Sequence, residues 1–195
     1  MQLAPELQYH IFSFLDLKDQ LYYMRGVCKE WRNYVLCKRK LDLTDLLECN
    51  VNYKLLLLFD RETLKTLTLS KVDIDATIVS RILKRYIKLE ELNLLDISSY
   101  WTCFNNITRI KNLKKLNITS TRNIYSYQLF TIARECKHIE ELILCYKYIV
   151  TNNLLDMIFC CFRKIKLLDI RNCPNFNKDY IREKSKENPT IKVLY

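Results

Sequence analysis

The chain has 195 residues, of which 49% are hydrophobic and 28% are charged, and its formal net charge is +10. That balance is typical of a folded globular chain with one or two domains. Gly26 is the only glycine, which excludes the glycine-rich loops of dinucleotide-binding proteins and P-loop enzymes and the nucleophile elbow. With only two histidines, the chain has little capacity for acid–base chemistry at neutral pH. Composition therefore predicts a protein without catalytic residues and without a cofactor.

The nine cysteines form no recognisable disulfide or metal-binding pattern. Their number is odd, no two have the C-x-x-C spacing, and the adjacent Cys160 and Cys161 would diverge on a helix. The first residues lack a secretory signal pattern, and no apolar run approaches the ~20 residues that a membrane helix needs. We therefore expect free thiols, no metal, no membrane association, and a cytoplasmic or nuclear location.

The first 35 residues carry two apolar stripes with the spacing of helices. Pro5 is well placed to start the first helix. So short a segment has too small an interior to bury both stripes, and part of this surface must face another domain or another protein. The stripes comprise Leu7, Ile11, Phe14 and Leu15, and then Val27, Cys28, Trp31 and Val35.

From residue 41 onward the sequence repeats an apolar–x–apolar unit at steps of 26, 25, 24, 26, 26 and 26 residues. From the second copy on, another apolar residue precedes the unit by three positions. This L-x-x-L-x-L pattern predicts short strands that stack side by side, one for each repeat. The units begin at Leu41, Leu67, Leu92, Leu116, Leu142 and Leu168, and Leu194 begins a seventh.

Between the predicted strands the apolar spacing changes to that of a helix. Each such helix can bury its apolar face only by stacking on a neighbouring repeat. Asn105 and Asn106 interrupt the pattern in residues 101–110, and we expect a shorter or irregular segment there. The helical stripes comprise Ile78, Val79, Ile82, Leu83 and Tyr86, then Leu129, Ile132, Ala133 and Cys136, then Leu154, Leu155, Ile158, Phe159 and Phe162.

The order of residues in Leu3–Trp31 resembles the F-box, a small helical module that docks onto the Skp adaptor of cullin–RING ubiquitin ligases. The ~26-residue period, with Cys136 before one strand and Cys173-Pro174 after another, resembles the cysteine-containing leucine-rich repeats. The two resemblances imply an α/β chain with a three-helix F-box, residues 1–37, and leucine-rich repeats, residues 38–195. The repeats would form a right-handed solenoid with parallel strands on its concave face and helices on its convex face.

An F-box would place its outer apolar residues against Skp. The alternative is that these residues form only the core of a cap on the repeat array, since the ends of a solenoid must be covered. Trp31 can serve either the core of the module or its docking face. The resemblance implies a Skp-binding set of Leu3, Pro5, Leu7, Ile11, Phe14, Leu15, Leu21, Val27, Cys28 and Trp31.

The residues between and beside the core leucines of each strand are expected to face outward on the concave sheet. Their mixture of acidic and basic side chains argues against a groove that tracks nucleic-acid phosphates. Most positive charge lies on the predicted helices and returns, where it is most simply a solvated outer face. For the concave sheet, the alternative to a binding surface is an ordinary solvated face. The predicted substrate-binding residues are Thr68, Glu91, Asn93, Leu95, Lys115, Asn117, Glu141, Ile143, Leu167, Asp169 and Arg171.

These features favour a two-part adaptor that performs no chemistry of its own. The F-box would tether it to a Skp–cullin ligase, and the repeats would hold a protein substrate near the ubiquitin-loaded enzyme. The alternative is a repeat scaffold whose F-box-like cap recruits no ligase, and a basic nucleic-acid module is a more distant third. Co-purification of a Skp–cullin complex separates the first two, and a steep fall of affinity with salt would identify the third.

Overall fold

The structure, a computed structural model, describes residues 4–44, 53–70, 76–96, 101–121 and 124–195. Within these ranges, no helix is both long enough and apolar enough to cross a membrane. The N-terminal end of the molecule is helical. Its elements are α1 Pro5–Ser13, α2 Leu17–Tyr22, a 3-10 helix Met24–Gly26 and α3 Lys29–Leu36.

Two polar side chains fix the corner between α1 and α2. The Asp16 carboxylate caps α2 by accepting a hydrogen bond from the backbone N–H of Asp19 at 2.7 Å. The buried Gln20 amide donates to the carbonyl oxygens of Phe12 at 3.0 Å and Leu15 at 2.7 Å. A helix leaves its last carbonyls without partners, so Gln20 completes the end of α1 and holds α2 against it.

Seven parallel strands form one open sheet in which the order of the strands follows the order of the chain. The first six strands lie at the positions that the apolar–x–apolar repeat predicts. The strands are β1 Lys40–Asp42, β2 Thr66–Ser70, β3 Glu91–Leu95, β4 Lys115–Asn117, β5 Glu141–Ile143, β6 Leu167–Asp169 and β7 Lys192–Leu194.

The seventh strand is shifted by one residue from its predicted register. The sequence pattern predicts Leu194 as the counterpart of Leu168, but the structure pairs Leu168 with Val193. The cause lies in the return before the strand. Leu168 comes seven residues after the end of the preceding helix at Cys161, whereas Val193 comes six residues after a helix that ends at Glu187.

The segments between the strands are helical, and the predicted apolar stripes face the core. Every residue of those stripes is buried except Ile78 and Phe159, which are half-buried. The segment expected to be shorter or irregular near residues 101–110 is instead a nine-residue 3-10 helix. The elements are a 3-10 helix Tyr53–Leu58, α4 Ala76–Arg85, a 3-10 helix Trp101–Arg109, α5 Ser126–Glu135, α6 Asn152–Cys161 and α7 Lys178–Glu187.

One apolar core joins the N-terminal helices to the sheet. Phe12, Leu21 and Val35 belong to the same buried cluster as the leucines of the strands. The backbone also connects the two parts, since the N–H of Asp60 donates to the carbonyl of Leu36 at 2.8 Å. The N-terminal helices therefore cover the first strand and depend on the repeats for part of their own burial.

Candidate protein-binding surfaces

The N-terminal helices expose a group of apolar side chains, which we call the N-terminal apolar surface. On α1 and the turn after it these residues are exposed, whereas Phe12 of the same helix is buried. Phe14 leaves 77% of its surface exposed. Contiguous exposed apolar surface is characteristic of a protein-interaction site. The N-terminal apolar surface comprises Leu7, Ile11, Phe14, Leu15 and Val27.

Other members of the predicted Skp-binding set do not belong to the N-terminal apolar surface. Leu21 is 0% exposed, because α2 packs it into the core cluster that includes the strand leucines. Cys28 is the half-buried residue that precedes α3. Pro5 begins α1, and Leu3 lies outside the described residues.

Trp31 packs mainly inside the helical module. Its ring meets the ring of Phe12 edge-on, with centroids 4.5 Å apart. Its indole N–H donates to the Gln8 side-chain oxygen at 3.3 Å. The side chain is half-buried, so Trp31 supports the helices that carry the N-terminal apolar surface.

Comparison with known families identifies the module that carries this surface. Residues 1–43 match the F-box domain. The match covers α1 to α3 and the whole of β1. F-box domains generally bind the Skp adaptor of cullin ligases, and F-box proteins are typically non-catalytic substrate adaptors. The search of curated proteins found no match to this chain.

Beyond the F-box, the sheet aligns the predicted substrate-binding residues in two rows. The pairing register places Glu91, Lys115, Glu141 and Leu167 side by side. The second row contains Thr68, Asn93, Asn117, Ile143 and Asp169. Leu95 lies at the end of β3, and Arg171 follows β6 and is exposed.

Several polar members of these rows are already paired with one another. Lys115 contacts Glu141 at 2.8 Å. The Asn93 amide donates to the Thr68 hydroxyl at 3.1 Å, and Thr68 is itself buried. Since paired groups have less to offer a partner, the half-buried apolar side chains Ile143 and Leu167 are the stronger candidates for contact on this face.

Asp169 and Arg171 form a two-point ion pair at one end of the sheet. The guanidinium donates to the carboxylate at 3.0 and 2.7 Å, and the Cys145 thiol donates to the same carboxylate at 3.1 Å. Burial alone would raise the pKa of Asp169, but the hydrogen bonds from Arg171 and Cys145 lower that pKa below its ordinary value. Asp169 therefore stays ionised and orients Arg171 at the sheet surface.

A turn after each of four strands contains a residue with left-handed backbone geometry. These residues occupy the same position in successive repeats: Asp96, φ 51°, Ser120, φ 53°, Tyr146, φ 59°, and Asn172, φ 61°. Aspartate and asparagine tolerate this conformation, whereas a bulky tyrosine rarely adopts it. Tyr146 is therefore the strained member of the series, and strain of this kind is concentrated at functional sites.

Tyr146 belongs to a group of exposed tyrosines that the sequence analysis missed. Tyr146 and Tyr148 follow β5, and Tyr125 and Tyr127 follow β4, so all four lie beyond the carboxyl ends of neighbouring strands. The rings of Tyr125 and Tyr127 stack with centroids 5.8 Å apart. We call this group the tyrosine rim. Its signal in the sequence was a Tyr-x-Tyr pattern in two successive repeats.

Lys147 lies between two tyrosines of the rim but points inward. It is only 4% exposed, and its amine donates to the backbone carbonyl of Thr121 in the preceding repeat. Burial lowers the pKa of this amine to about 8. Thr121 and Cys173 occupy the same position in their own repeats and donate to carbonyls of the preceding repeat at 2.6 and 3.1 Å. These contacts fix the turns that carry the rim.

The described cysteines are free thiols, and two of them, Cys136 and Cys145, are buried. Burial raises the pKa of Cys136 to about 11, and burial together with a hydrogen bond to Asp169 raises the pKa of Cys145 to about 11. The side chains of Cys49 and Cys103 lie outside the described part of the chain. Within the described part, no cluster of three or more histidine, cysteine or acidic side chains could hold a metal.

Proposed function

We propose that this chain is a substrate-recognition adaptor of a Skp–cullin–F-box ubiquitin ligase. In this proposal the N-terminal apolar surface docks onto Skp, and residues 38–195 form a right-handed solenoid of cysteine-containing leucine-rich repeats that binds a protein substrate. The observation that carries the proposal is an exposed apolar surface inside the segment that matches the F-box domain.

The N-terminal apolar surface has the composition of an interface centre. Phe14 is an aromatic side chain with most of its surface in water, and Leu7 and Ile11 lie beside it at helical spacing. Burial of such side chains contributes roughly 25 cal/mol for each Å² of apolar area removed from water. An aromatic anchor surrounded by aliphatic side chains commonly supplies most of the binding free energy of an interface.

The substrate would contact the concave sheet and the tyrosine rim together. Ile143 lies on β5, directly before the turn that carries Tyr146 and Tyr148, so the two surfaces are continuous. Tyrosines provide large contact area with little conformational entropy to lose, which suits recognition of a protein. The repeat arc then acts by proximity, because a tethered substrate has a raised effective concentration at the ubiquitin-loaded enzyme.

Co-purification tests the ligase role against the scaffold alternative. Tagged wild type should recover both a Skp protein and a cullin, and Phe14→Asp should recover neither while retaining its fold by circular dichroism. Lys84→Asp is the control, because Lys84 is an exposed side chain on α4, outside the F-box segment. Folded wild type without Skp and cullin would favour the scaffold alternative.

The strained tyrosine gives a separate prediction about the repeats. Tyr146→Asn should raise the free energy of unfolding by about 1 kcal/mol, because asparagine tolerates the left-handed backbone better than tyrosine does. The same change should reduce recovery of co-purifying proteins other than Skp and cullin. Urea denaturation and quantitative mass spectrometry measure the two effects.

Tyr148→Asn is the matched control for stability. Tyr148 is a more exposed tyrosine in the same connection between β5 and α6, and it is not among the residues with positive φ. Its replacement should therefore change the free energy of unfolding by less than about 0.5 kcal/mol. If Tyr146→Asn is less stable than the wild type, the tyrosine supports the turn. Backbone strain at Tyr146 then no longer indicates that the tyrosine rim is a functional site.

A further inference from the structure

A groove runs along the contact between α5 and α6, on the helical side of the repeats. Its half near the helix N-termini mixes polar and apolar side chains, and its half near the helix C-termini combines basic side chains with an apolar floor. Phe130 lines both halves, and 47% of its surface is exposed. We call this feature the α5–α6 groove, and its second half the basic half. Ala133 and Cys161 contribute to the apolar floor, and Lys137, Arg163 and Lys164 supply the charge.

The basic half contains cations whose charge is not neutralised locally. In the part of the chain that the structure describes, no acidic side chain lines it, although the lining Arg134 pairs with the adjacent Glu135 at 3.2 Å. Among the described residues, Lys137 and Arg163 form no ion pair and no side-chain hydrogen bond, and the Lys164 amine is 3.1 Å from a ring nitrogen of His138. Helix C-termini favour a nearby cation, but this modest effect does not neutralise the charge, which stays available to a ligand.

The corresponding groove between the 3-10 helix Tyr53–Leu58 and α4 is also basic, but contacts within the protein engage part of its charge. Glu62 lies inside it and pairs with Lys88. The Arg85 guanidinium turns inward and donates to the carbonyl of Phe59 at 3.3 Å. Glu62 and the Phe59 carbonyl thus already pair with part of the positive charge of this second groove. The second groove therefore provides a matched control for the α5–α6 groove.

We propose that the α5–α6 groove binds an acidic peptide segment of a partner protein. An apolar side chain of the segment packs against Phe130, and its carboxylates contact Lys137 and Arg163. Each helix has ten residues and spans about 15 Å at 1.5 Å per residue, which matches about five residues of extended peptide. Met157, an aliphatic side chain, lies beside Phe130 in the groove and suits an aliphatic residue better than the flat face of a base, so charge and apolar contact together favour a peptide.

This groove is independent of the proposed Skp-docking surface. Strands β2, β3 and β4 separate β5, which precedes α6, from β1 and the F-box helices. A chain that fails to capture Skp could therefore still bind the acidic segment, and the reverse also holds.

The test is fluorescence anisotropy with the full chain and a labelled peptide in which a leucine precedes four aspartates. Lys137→Glu combined with Arg163→Glu should weaken binding at least tenfold. Arg81→Glu combined with Lys84→Glu makes the same change of net charge at the other basic groove and should weaken binding less than twofold. Phe130→Ser should weaken binding of the leucine peptide about fivefold and leave binding of a glycine-for-leucine peptide unchanged.

Four outcomes would overturn the proposal. Equal losses in the two double variants would mean that the chain attracts anions through its net charge alone. Tighter binding of a single-stranded oligonucleotide of equal charge would assign the groove to nucleic acid, and tighter binding of phosphatidylserine vesicles would assign it to a membrane surface. No binding of the leucine peptide by folded wild type at millimolar concentration would leave the groove without this function.

Discussion

Replacing Trp31 with alanine should lower the free energy of unfolding by about 3 kcal/mol, the range expected for a large aromatic side chain lost from a core. The ring packs edge-on against Phe12 at a centroid distance of 4.5 Å, and the indole N–H bonds to Gln8. Both contacts hold α3 against α1. Because Phe12 lies in the core that includes the strand leucines, this loss should appear in the cooperative unfolding of the whole molecule.

Phe14→Ala is the matched control for Trp31→Ala. It removes an aromatic ring from the same module, but this ring is exposed, so the free energy of unfolding should change by less than about 0.5 kcal/mol. Urea denaturation followed by circular dichroism measures both variants. A loss below about 1 kcal/mol for Trp31→Ala would place the side chain on the docking face and not in the core.

Replacing Lys147 with methionine should remove a pH-dependent part of the stability. In the unfolded chain this lysine has its ordinary pKa of 10.5, whereas burial lowers the pKa to about 8 in the folded protein. Between these values the unfolded state binds more protons, so the stability of the wild type should rise with pH. Below pH 8 both states are protonated, and the cost of the buried charge is constant.

The measurement is the difference in free energy of unfolding between Lys147→Met and the wild type. This difference should be largest at pH 7 and should shrink by about 3 kcal/mol as the pH rises from about 8 to 10.5. The lost hydrogen bond to Thr121 shifts the difference by a constant amount, and the other titrating groups are common to both proteins. A difference that does not vary with pH would show that the Lys147 amine is solvated in the folded protein.

The sequence predicted the positions of the strands because the apolar–x–apolar unit reports burial directly. It failed at the last strand, where a return shortened by one residue brings Val193 to the position expected for Leu194. A pattern of apolar residues does not record the length of a turn, and a change of one residue is enough to move the strand by one position.

The candidate sites were less predictable because a stripe of apolar residues does not distinguish an inner face from an outer one. Leu21 and Phe14 belong to the same predicted set, yet one is in the core and the other is in water. Lys147 shows that a polar residue outside any apolar stripe can be buried. A lysine in a turn is normally solvated, and only the packing of neighbouring repeats brings its amine to the Thr121 carbonyl.

The most direct test of the ligase-adaptor role is a titration of the purified chain with a purified Skp protein by isothermal calorimetry. We predict a one-to-one complex with micromolar or tighter affinity, weakened at least thirtyfold by Phe14→Ala, about 2 kcal/mol for an interface anchor. Lys84→Asp should leave the affinity unchanged. Absence of heat with folded wild type, or equal affinity for wild type and Phe14→Ala, would contradict docking through the N-terminal apolar surface.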